Sequence, residues 1–115
     1  MEFLNEYQLS GLLKRGKSVE AFVGKYEEAS YPTIMWLSIE KGRESKELFY
    51  VILHYVFDDR QDGVESIYNF SYVQPDELYG KIVAKFVSCS EAIQFAREKY
   101  RVENFNGEGG MDELI

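Results

Sequence analysis

The chain carries one histidine, His54, and one cysteine, Cys89, and these two side chains bound the chemistry it can do. A single imidazole cannot make a two-histidine metal site, and no metalloprotease helix motif is present. His54 lies within the apolar run Leu48 to Phe57, where a hydrogen-bonded structural histidine is the plain reading and a catalytic or pH-sensing base the sharper one. Cys89 stands at the start of a helical pattern, where a thiol pKa can fall, but its spacing to Ala92 and Ile93 puts it on a buried stripe. The two form a thiol–imidazole pair only if the fold brings them together.

Other constellations are weaker. The loop Asp58-Asp59-Arg60-Gln61-Asp62-Gly63 has the look of a calcium loop, but its third position is Arg60, and Asn69 stands where the closing glutamate belongs. No spacing singles out a carboxylate pair for acid–base work among the twenty acids. Gly107, Gly109 and Gly110 neither follow a strand nor precede a helix, so they make no phosphate cradle. Basic residues are not interleaved with aromatics as on a nucleic-acid platform. No cofactor and no metal is expected from these patterns.

What remains is surface. Twenty Asp and Glu against thirteen Lys and Arg leave a net charge of −7. The excess sits in two segments: Asp58 to Glu77, with Asp58, Asp59, Asp62, Glu65, Asp76 and Glu77 against Arg60, and Val102 to Ile115, with Glu103, Glu108, Asp112 and Glu113 and no base. A field of that sign repels nucleic acid and anionic membranes and steers basic proteins inward; it also serves simply as a solvated, solubilising face. A row of aromatics, Tyr68, Phe70 and Tyr72, lies in the first segment. It is either ordinary sheet interior or a set of anchors ringed by carboxylates, as at a protein interface. Tyr31, Trp36, Tyr50 and Tyr79 extend either version.

The elements that must position these residues fit one domain of 115 residues. Glu2 to Lys17 reads as a helix ending at Gly16. Residues 18–27 fit a helix or a strand, and the break at Tyr31-Pro32 favours a strand. Thr33 to Glu40 alternates Met35, Leu37 and Ile39 with Ile34, Trp36 and Ser38, and Leu48 to Phe57, apolar on both faces, reads as its central antiparallel neighbour. A further strand is expected over Val64 to Tyr72, and Lys81 to Val87 reads as an edge strand. Ser88 to Glu91 is a capping box, followed by an amphipathic helix to about Arg101. The fold class expected is α+β: a four- or five-stranded, mostly antiparallel meander with an N-terminal and a C-terminal helix on one face. Residues 1–105 form the domain, and 106–115 read as a Gly-rich acidic tail, mobile unless something holds it.

One cysteine excludes an intramolecular disulfide and suits a reducing cytoplasm. Met1 to Glu6 has acids where a signal peptide would carry a basic n-region, and the longest apolar run is ten residues, too short to span a membrane. The acidic, aromatic stretch Asp58 to Glu77 and the compact segment Lys81 to Tyr100 give a chain that resembles the bacterial immunity proteins, which neutralise a cognate toxin by direct contact. The resemblance implies a one-to-one complex with a basic toxin domain such as a nuclease, with carboxylates standing in for substrate phosphates. The expected contact set is Asp58, Asp59, Asp62, Glu65, Tyr68, Phe70, Asp76 and Glu77. Two other readings stay open: a homo-oligomeric or regulatory module that buries the aromatic face on its own copy, and a small-molecule enzyme built on His54.

Overall fold

The structure, a computed structural model, describes residues 3–115. Its first element is helix α1, Glu6–Lys14, capped by Asn5 in a reciprocal capping box with Gln8; it is shorter than the span expected from the sequence, of which Glu2 lies outside the described residues. Three long strands follow, β1 (Val19–Glu28), β2 (Tyr31–Lys41) and β3 (Phe49–Phe57), then β4 (Lys81–Phe86), helix α2 (Cys89–Tyr100) and a two-residue strand β5 (Asn106–Gly107). The sheet order is β4-β3-β2-β1-β5, antiparallel throughout. This is the α+β meander expected, with β4 at an edge; β3 is an interior strand, and the middle of the five is β2.

Alternation along β2 settles the two faces. Leu37 and Ile39 point to the side where both helices pack, and join Leu9, Leu13, Val19, Ala21, Val51, Ala92, Ile93, Ala96 and Phe105 in the main core. Ile34 and Trp36 point the other way. They form a second, smaller core with Val56, Ile67, Phe70 and Met111. Helix α2 docks through the stripe read from its spacing, and Ser88 caps it by accepting the Glu91 amide at 3.2 Å.

Two expectations need correction, and both concern the second face. Val64 to Tyr72 is not a strand: after β3 the chain makes 3-10 turns at Asp59–Asp62, Ile67–Asn69 and Pro75–Glu77, and its backbone pairs with the sheet only at a single bridge of Tyr72 to Val56. Caps close the first two of these turns locally, with the Asp58 carboxylate accepting from the Arg60 amide and the Ser66 hydroxyl from the Tyr68 amide. The tail is not loose either. Asn106 and Gly107 pair with Glu20 and Val19, and a 3-10 turn at Gly110–Glu113 drives Met111 into the second core with no exposure at all. The domain therefore includes 106–115, and the fifth strand comes from there.

Candidate functional site

The second face is half covered. Where the cover stops, a pocket of about 320 Å³ opens over β1, β2 and β3, floored by Ser38, Ile52 and His54 and walled by Glu20, Trp36, Tyr68 and Glu108, with Glu40 and Arg43 at its mouth. Strand alternation explains the set: Glu20, Trp36, Ser38, Ile52 and His54 all fall on this face, with Glu20 opposite Ser38 and Trp36 opposite His54.

His54 is held on three sides. Its Nε2 lies 2.9 Å from the Ser38 hydroxyl, its Nδ1 lies 2.7 Å from the Tyr72 hydroxyl, and its ring stacks on Trp36. Serine, histidine and a third orienting group within hydrogen-bond reach invite a nucleophile reading. The electrostatics oppose it. Burial, and then the nearby Arg43 guanidinium, lower the His54 pKa to about 4. Protonating such a ring at pH 7 costs about 4 kcal/mol. The carboxylate that stabilises the imidazolium in a Ser-His-Asp triad is absent, and the orienting partner here is Tyr72, whose own pKa is pushed up by burial so that it stays neutral. Cys89 offers no alternative, because it packs in the helix-side core on the opposite face of the sheet from His54. The trio is a polar clip that joins β2, β3 and the covering segment.

Glu20 is the second buried polar centre. Burial raises its pKa, against the opposing pull of the Tyr68 hydroxyl and the backbone N–H groups of Gly109, Gly110 and Met111. Tyr68 donates to Glu20 Oε1 at 2.5 Å while its oxygen accepts from the Met111 amide at 3.0 Å. Asp112 reaches back to the Ser66 hydroxyl and the Ile67 amide, and the Arg60 guanidinium donates to the Ile115 carbonyl. These bonds fasten the covering segment and the tail to one another and to β1.

The contact set expected from the sequence divides accordingly. Phe70, only 3% exposed, belongs to the second core and is not a surface anchor, because the 3-10 turn before it aims its ring at the sheet. Asp58 is engaged with Arg60, whose hydrogen bond holds its carboxyl below the usual range, and Asp59 accepts the Ser71 amide at 2.7 Å. Tyr68 is partly exposed, with its hydroxyl committed to Glu20. Asp62, Glu65 and Asp76 are exposed and carry no ion pair among the described residues, and Glu77 lies 3.8 Å from Lys81. Beside Asp76 and Glu77 the structure adds Leu78 and Tyr79, 57% and 69% exposed. Tyr79 was visible in the sequence only as one more aromatic. Its display depends on two successive left-handed residues, Tyr79 at φ 70° and Gly80 at φ 96°, which no local pattern announces.

Among the described residues no cluster of three or more metal-ligating side chains occurs, and no helix is long and apolar enough to cross a membrane. No protein-family model, curated protein or solved structure matches the chain.

Proposed function

We propose that the chain is a non-catalytic protein-binding domain that acts as a bacterial immunity protein, working in the cytoplasm and silencing a basic toxin domain, such as a nuclease, by one-to-one contact. The observation that carries this reading is the construction of the segment 58–80. Its inward residues, Ile67 and Phe70, are sealed in the second core, so the outward carboxylates of Asp62, Glu65 and Asp76 stand unpaired on a backbone that is already ordered. Ordered, unpaired charges lose little entropy on meeting a basic surface and speed the encounter. Leu78 and Tyr79, next to Asp76 and Glu77, supply the apolar anchor that charge alone lacks. Asp58, Asp59 and Tyr68 act from behind, by fixing the segment.

The test is capture on the immobilised chain beside a variant carrying Asp62→Lys, Glu65→Lys and Asp76→Lys. A basic protein retained by the first, lost by the second, and inhibited at one equivalent of the chain is the expected result. Retention unchanged by the reversal, or a retained protein whose activity is untouched, overturns the reading.

A further inference from the structure

The two edges of the sheet differ. On the β4 side the exposed charges are Lys81 and Lys85, of one sign, which resist pairing with a copy of themselves. On the other side β5 covers only Val19 and Glu20 of β1, and residues 21–28 have no strand beyond them. Residues 25–28 are exposed, as are the turn residues Ala29 and Ser30.

That open edge is self-complementary. Glu28 and Tyr31 face each other across the two-residue turn Ala29-Ser30, whose φ values of 50° and 71° are those of a type I′ hairpin. Residues flanking such a turn form a hydrogen-bonded pair, so Tyr26 and Gly24 also bond toward β2, while Lys25 and Glu27 present their N–H and C=O groups outward. Lys25 and Glu27 share one face of the strand, opposite Ile34 and Pro32 of β2. A twofold axis through Tyr26 therefore sets Lys25 of each copy against Glu27 of the other, in two outward hydrogen-bonded pairs with opposite charges. The half-exposed Tyr26 rings meet at the axis.

The register also stops short of β5. With Tyr26 on the axis, Ser30 of one copy reaches Phe22 of the other, so the incoming hairpin ends before the positions that β5 occupies. The β1 bulge between Phe22 and Gly24 falls at this junction.

We propose that two copies of the chain associate through the β1 edge, antiparallel about Tyr26, to make one continuous sheet. This contact is distinct from the toxin-binding reading and is measured on the pure chain. The paired stretch is short, so the dimer belongs to the weak class, with a dissociation constant between micromolar and millimolar.

Sedimentation equilibrium across that range tests it, with circular dichroism to verify folding. The mass is expected to climb from 13.4 kDa toward twice that value. Lys25→Glu alone, or Glu27→Lys alone, places like charges opposite each other twice per dimer and should weaken association about tenfold. The double swap of Lys25→Glu with Glu27→Lys should restore it. A chain monomeric throughout the range overturns the proposal, and so does a dimer indifferent to the single changes or not rescued by the double one.

Discussion

Trp36 and His54 lie ring on ring across β2 and β3, their centroids 3.9 Å apart and their planes 12° from parallel. The stack places an ionisable ring against an indole on one side and between two hydroxyls at its edges, an environment that accommodates the neutral imidazole and penalises the charged one.

Stability should therefore depend on pH in a defined window. The folded-state pKa of His54, about 4, lies below its ordinary value of 6.5, so between these two values the unfolded chain binds a proton that the folded chain refuses. Stability falls as pH drops through this interval, by up to about 3 kcal/mol from this group. Glu20, whose folded pKa is raised, acts in the opposite sense and gains relative stability as pH falls, which opposes the slope from His54. Urea titrations at pH 7 and pH 4.5 should show the wild type losing more stability on acidification than His54→Gln. Equal losses would mean that His54 is charged in the folded protein.

Removing one hydroxyl should loosen the tail. Tyr68→Phe deletes the donor to Glu20 and the acceptor of the Met111 amide, leaving a buried carboxylate and a buried N–H short of partners. The expected cost is about 1–3 kcal/mol, with faster amide exchange concentrated in residues 106–113. Exchange unchanged there would show that the tail is held by packing alone.

Met111 is fully buried, and its truncation tests the second core directly. Met111→Ala should cost about 2–5 kcal/mol in urea or thermal denaturation, as for a methionine in any well-packed interior. A loss under about 0.5 kcal/mol would mean that the residues around it close over the gap.

Gly80→Ala should destabilise for two reasons at once. The backbone is at φ 96°, and an added Cβ would stand 2.5 Å from Ile52 Cγ2 and 2.8 Å from His54 Cε1. A loss of about 2–3 kcal/mol is expected, together with weaker partner binding as Leu78 and Tyr79 shift. Thermal melts of the variant with and without a captured partner separate the two effects.

Much of this architecture was legible where the signal is local. Two-residue alternation along Thr33 to Glu40 assigned Leu37 and Trp36 to opposite faces, and Ser88 with Glu91 announced α2. The stretch 64–72 misled because Tyr68, Phe70 and Tyr72 alternate as strand residues do. The contrary signal was there in Asp62, Gly63, Ser66, Asn69, Ser71 and Pro75, a density of turn formers unsuited to a ladder. Glu20 was illegible for a different reason: an acid alternating with Val19 and Ala21 belongs on a wet face, and that face is dry only because residues 109–111 arrive from far along the chain. The His54 clip likewise needs Ser38 and Tyr72, from separate segments, to meet.

The docking of residues 106–115 onto β1 sets an order on synthesis. Strand β1 is made well before the residues that flank it, and Ile34, Trp36 and Val56 wait for Met111 before their core closes. Until the ribosome has released that methionine, the nascent chain shows apolar side chains on one side of a nearly finished sheet, a surface that chaperones bind and that crowded neighbours stick to. Cutting the chain before residue 106 would remove only a short glycine-rich stretch of this domain, yet would leave it permanently in that unfinished condition.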